Sequence, residues 1–145
     1  MIHLEELASV VASIQTSNSK TEMHNLTGAL LNDNPNQIED ILKLCCSTPR
    51  DSVKPNHIVA LITNCYGMFP EEYESLWDEK EIPLILADES PDEVESSLSL
   101  TEARQFKSSI MQGEAISLDV LFLSLSKTSA RLFWGFCFGR TLINY

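Results

Sequence analysis

The sequence predicts an all-α fold of seven to nine helices in one domain, residues 1–145. Three observations predict it. Apolar residues recur at the helical spacing i, i+3, i+4 and i+7 in most segments. Serine, asparagine and proline precede several of these segments, where helices usually begin. No stretch alternates apolar and polar residues for long, and "IPLILA" at 82–87 is the one segment that could form a short strand.

The first three helices follow one another at the start of the chain. The apolar stripe of the first consists of Leu4, Leu7, Ala8, Val11 and Ile14. A polar run at 16–19 ends it, and Ser19 with Glu22 forms a capping box that begins the second helix. Asn34 before Pro35 predicts the start of the third. The apolar positions of these two helices are Leu26, Leu30, Leu31, Ile38, Ile41, Leu42 and Cys45.

Prolines and caps predict the middle helices. After the loop "STPRDSVKP", a fourth helix begins at about Asn56 and ends near Gly67. Its apolar side consists of Ile58, Leu61, Ile62 and Cys65. Pro70 begins an acidic helix, "EEYESLWDEK". The segment Ser90–Glu93 combines a cap residue, a proline and a capping box, and therefore predicts a further helix start.

Two further helices are predicted to begin after Ser99 or Thr101 and after Ser117. The last helix is predicted in the segment "SARLFWGFCFGR" at 129–140. That last segment is apolar around most of its circumference, which is typical of a buried central helix. Its core residues are predicted to be Leu132, Phe133, Phe136 and Cys137. Arg131 and Arg140 are predicted at the two ends of this helix, where an anion or an internal carboxylate could pair with them.

Charge and composition limit the function. The chain has 21 acidic and 10 basic residues, a formal net charge of −11. This excess opposes nucleic-acid binding, which depends on Lys and Arg, unless a local basic patch outweighs it. No apolar run approaches the ~20 residues that span a bilayer, and the first residues lack a secretory signal. We expect an intracellular protein in the nucleus or cytoplasm, with no membrane partner and with four buried free thiols.

No catalytic or metal-binding pattern is present in the sequence. His3, His24 and His57 have no cysteine or carboxylate at metal-ligand spacing. The sequence contains no phosphate-binding glycine loop, no G-x-S-x-G and no H-E-x-x-H. No lysine stands in a K-x-D-G context, the motif of covalent nucleotidyltransferases. We therefore predict no catalytic residue, no metal and no cofactor in this chain.

Three segments, which follow one another along the chain, each resemble a part of the same protein family. "LEELASVVASIQTSNSKTEMHNLTGALL" is similar to the opening helices of the N-terminal DNA-binding domain of ATP-dependent DNA ligases. "GMFPEEYESLWDEKEIPLILADES" resembles the pattern E-K-G-D-L-G-x-V-A-E of that domain, with Glu81-Ile82-Pro83 in place of its Gly-Asp-Leu part. "TSARLFWGFCFGRTLINY" resembles E-A-R-F-x-x-R-x-x-x-G-K-L-R-x-G. The matching positions are Glu79, Lys80, Leu84, Ala87, Ala130, Arg131, Gly139 and Arg140.

The resemblance implies an all-helical, non-catalytic domain that grips nicked duplex DNA for sealing in replication, repair and recombination. A separate catalytic core would hold the ATP and Mg. The DNA contacts would be to phosphates, made without reading bases, by Arg50, Lys54, Lys127, Thr128, Ser129, Arg131 and Arg140.

Two departures leave a second hypothesis open. Thr141–Tyr145 replaces the basic residues and glycine with which the family usually continues, and a net charge of −11 is acidic for a DNA clamp. The chain is then either a fragment of a ligase whose basic surface lies elsewhere, or it keeps the fold with weakened DNA binding. The alternative function is an acidic helical module that binds a basic protein partner.

Overall fold

The computed structural model describes residues 1–46, 50, 52–66, 82–114 and 116–139. This part of the chain forms eight α-helices and no β-strand, which confirms the predicted all-α class. The helices are α1 Leu4–Thr16, α2 Lys20–Asp33, α3 Ile38–Cys45, α4 Pro55–Tyr66, α5 Ile82–Asp88, α6 Leu100–Met111, α7 Leu118–Leu123 and α8 Lys127–Cys137. None of these eight helices is long and apolar enough to cross a membrane.

The last helix, α8, lies at the centre of the core. It packs against α1, α3 and α5, and apart from Arg131 every residue from Ser129 to Cys137 is buried. The Phe133 and Trp134 rings meet edge to face, with centroids 4.9 Å apart. These contacts confirm the predicted burial of Leu132, Phe133, Phe136 and Cys137.

The bounds of α8 differ from the prediction and move Arg131. The Ser126 hydroxyl accepts a hydrogen bond from the Ser129 N–H, so the helix begins earlier than expected. Arg131 consequently lies in the second turn of α8 and not at its end. After the helix, Gly139 adopts a φ of 72°, a left-handed conformation that favours glycine and ends helices. Arg140 lies outside the described residues.

The predicted serine caps form at the start of three helices. The Ser19 and Ser117 hydroxyls accept from the backbone N–H of Glu22 and of Val120, respectively. Ser99, rather than Thr101, caps α6. Its capping box with Glu102 is complete. The segment at 82–87 that could have formed a strand is part of α5 instead.

The helix predicted from segment 90–93 does not form. Residues 89–99 contain no helix and supply acceptors to the starts of two other helices. The Leu4 N–H at the start of α1 donates to the Leu98 carbonyl at 2.9 Å, and the Lys127 N–H of α8 donates to the Pro91 carbonyl at 2.8 Å. Such N–H groups have no partner within their own helix. Residues 91 and 98 satisfy two of them.

Asn34 precedes Pro35 at the start of a helical turn, as predicted, but its side chain does not cap that turn. Its side-chain amide donates to the Leu30 carbonyl at 2.8 Å, which satisfies a free acceptor at the end of α2. A short 3₁₀ helix, Pro35–Gln37, then leads into α3. The acidic helix predicted from Pro70 lies outside the described residues.

The four cysteines have different environments, although all are free. Cys45 and Cys137 are buried and Cys46 is half-buried. Cys65, predicted on the apolar side of α4, is exposed, and its thiol donates to the Ile116 carbonyl at 3.3 Å. The prediction of four buried thiols is therefore wrong for Cys65 and only partly correct for Cys46.

We expect thiol reactivity to follow this difference. Burial raises the pKa of Cys45 to about 12, with a smaller contribution from neighbouring Cys46. Burial likewise raises the pKa of Cys137 above its usual range. Because the thiolate is the reactive form, both residues should resist a disulfide reagent at about pH 8 while Cys65 reacts quickly. Mass spectrometry of the labelled protein checks this.

The matched control is Cys65→Ser, which should remove the fast phase. Unfolding in urea should then make Cys45 and Cys137 reactive. Rapid labelling of either residue in the native protein would contradict the packing around α8 and α3.

Candidate nucleic-acid interface

Three predicted phosphate contacts share one face at the start of α8. Lys127 and Thr128 precede Arg131 by four and three residues, the spacing of neighbours on a helix surface. Thr128 and Arg131 are exposed, and Lys127 is partly exposed. We call these three residues the α8 edge. Thr128 and Arg131 also line a groove of about 210 Å³ against the end of α1.

Two members of the α8 edge have available donors. Within the described residues, neither the Arg131 guanidinium nor the Thr128 side chain makes an ion pair or a hydrogen bond. An arginine guanidinium presents a planar fork of N–H groups that matches the oxygens of a phosphate. The pairing of Arg131 with an internal acid, expected as the alternative to an anion contact, does not occur in the described part of the chain.

Lys127 is engaged, but weakly. Its Nζ lies 3.4 Å from Asp92 Oδ1, and the two side chains are 41% and 87% exposed. Ion pairs exposed to this degree contribute about 0–1 kcal/mol and are screened by salt. A phosphate could therefore replace the Asp92 carboxylate at little cost.

The N-terminus of α8 is occupied by groups from the chain itself. The Ser126 N–H donates to Glu5 Oε2 at 3.4 Å, which places a carboxylate beside the positive end of the helix dipole. Ser129 is fully buried, and its N–H donates to Ser126. In this structure its hydroxyl faces the core, so Ser129 is not available for the predicted contact. Glu5 reduces the attraction for an anion at this point.

Two other predicted residues lie near the opposite end of α8. Arg50 and Lys54 are exposed, and the Val53 N–H beside Lys54 donates to the Cys137 carbonyl at 2.6 Å. The 11 residues of α8 span about 16 Å. The structure therefore separates Arg50 and Lys54 from the α8 edge, and Lys54 Nζ already donates to Ser52 Oγ at 3.1 Å.

Comparisons with protein-family models, with curated proteins and with solved structures give no match. The resemblance to DNA ligases thus remains a prediction from the motifs. Among the described residues, no three His, Cys, Asp or Glu side chains converge as a metal site.

Sequence reasoning missed one basic cluster. Lys43 of α3 and Arg104 and Lys107 of α6 line a common groove. The spacing of Arg104 and Lys107 would have placed both on one face of α6. Their approach to Lys43 depends on how α3 packs against α6, which no local pattern encodes.

Proposed function

We propose that this chain is a non-catalytic DNA-binding domain of the DNA ligase type, which holds nicked duplex DNA by its phosphates. The observation that carries the proposal is Arg131, an exposed arginine without a partner among the described residues, beside Thr128 and Lys127. The all-α fold agrees with what the resemblance implies. Catalytic ligase domains, with ATP and Mg, would act on the DNA that this domain holds.

The charges predict how such binding behaves. Contacts to phosphates fix the protein on the duplex without reading its sequence. The net charge of −11 and the Glu5 carboxylate beside α8 repel the DNA backbone. Binding should therefore be weak and independent of sequence.

Arg131→Ala should weaken binding to nicked duplexes of unrelated sequence by the same factor. It should also reduce the log–log salt slope by about one unit, because one cation that displaces counterions is lost. Fluorescence anisotropy of labelled duplexes, repeated over a salt series, measures both quantities.

The control is Lys20→Ala, which removes an exposed cation at the start of α2, outside the α8 edge. It should lower the DNA affinity and the salt slope less than Arg131→Ala does. Because Arg131 is exposed, its loss should not change the melting temperature. Unchanged DNA affinity in Arg131→Ala would refute the placement of the contact.

A second candidate, the acidic protein-interaction module, is favoured by one surface on α7. Val120 and Leu123 are 59% and 70% exposed and lie three residues apart on the same face, next to Asp119. An apolar pair beside a carboxylate suits a partner with apolar and basic groups. Such a module would show no affinity for DNA at low salt, whereas the DNA-binding domain would.

A further inference from the structure

A second basic surface lies where α3, α6 and α8 meet. The groove there has a volume of about 400 Å³. The residues that matter for its chemistry are Lys43, Arg104, Lys107, Ser108, Gln112 and Phe136. Three of the ten basic residues of a strongly acidic chain therefore line one groove. This concentration of positive charge opposes the overall field of the protein.

Lys107 forms a fixed positive charge in this groove. It is 7% exposed, and it is the one charged residue that is buried in the described part of the chain. Its Nζ lies 4.2 Å from the centroid of the Phe136 ring. Burying an ammonium is costly unless other groups compensate, and the face of an aromatic ring is one such group.

The neighbouring groups leave donors for an anion. Arg104 Nη1 is 2.6 Å from Asp40 Oδ1, which orients the guanidinium and leaves other N–H groups of its fork. The Ser108 hydroxyl accepts from Gln112 Nε2 at 3.1 Å, so its own proton can be donated to a ligand. Lys43 is exposed at the opposite side, on α3.

We propose that this groove binds a phosphate group between Lys43, Arg104 and Lys107, with Ser108 as a further donor. A phosphate has several oxygens and can accept from donors that converge from two helices. The group could belong to a free phosphate-bearing molecule or to a nucleic-acid strand. Because no residue is shared with the α8 edge, this site does not depend on the proposed function.

The first test is titration of the full chain with inorganic phosphate at constant ionic strength, followed by ¹H–¹⁵N spectra. Saturable shifts are expected in the amides of residues 104–112. Lys43→Gln, an exposed substitution, should weaken this binding roughly tenfold, whereas Lys20→Gln should not. Lys107→Met keeps most of the stem over Phe136 and should also weaken it. Shifts no larger than those with chloride, or wild-type binding by Lys43→Gln, would overturn the proposal.

The second test identifies the source of the phosphate. If a DNA strand supplies it, Lys43→Gln should lower the salt slope of nicked-duplex binding by about one unit. If a free molecule supplies it, Lys43→Gln should weaken phosphate binding and keep the DNA affinity. Both outcomes support the groove. Arg131→Ala should leave phosphate binding intact, so a failure of the groove and a failure of the α8 edge are distinguishable.

Discussion

Phe133→Ala should lower the free energy of unfolding by about 3–5 kcal/mol. Phe133 is fully buried, and it lies on the central helix α8 with its ring against Trp134. Truncation removes the apolar surface of the ring and leaves a cavity that the packed neighbours of α8 can fill only in part. Because small domains have a stability of about 5–15 kcal/mol, this is a large fraction of the total.

Urea unfolding, followed by circular dichroism, measures this change. The control is Leu123→Ala, which also shortens an apolar side chain but at a position that is 70% exposed. It should change stability by less than about 0.5 kcal/mol. If Phe133→Ala unfolds the chain, Phe133→Leu should give a measurable intermediate loss. A loss from Phe133→Ala no larger than that of the control would mean that α8 is not central to the core.

Affinity for nicked duplex should fall steeply with salt. The contacts predicted from the sequence include five basic residues, Arg50, Lys54, Lys127, Arg131 and Arg140. If each neutralises one phosphate, the log–log slope is about −4.5, and affinity falls roughly 500-fold between about 50 mM and about 200 mM salt. The physical reason is the release of condensed counterions, which gains less entropy when the bulk already contains more salt.

Anisotropy titrations with two duplexes of unrelated sequence measure this slope, and both should give the same value. A slope much shallower than −4.5 would mean that fewer of the five residues contact phosphates. No DNA binding at low salt would contradict the proposed function and favour the protein-interaction module. The groove of α3, α6 and α8 would then be tested by inorganic phosphate alone.

The sequence by itself determined the fold class and much of the helix capping. Ser99 and Glu102 form their capping box within four residues, so the local sequence is sufficient to predict it. The last helix is apolar around most of its circumference, and this similarly predicted that Phe133 and Phe136 are buried, because so wide an apolar surface must pack against other elements. These features depend on neighbours along the chain.

Only the tertiary structure decided which local patterns form a helix, which residues are buried and which side chains share a groove. Segment 90–93 has the pattern of a helix start, but the Pro91 carbonyl accepts from the Lys127 N–H of α8, a helix that is distant in sequence. Ser129 was predicted to contact phosphate, yet it is fully buried because it lies on a face of α8 that packs against other helices. Lys43 and Lys107 meet in one groove because α3 packs against α6. Each outcome depends on contacts between remote segments, and local propensity does not encode such contacts.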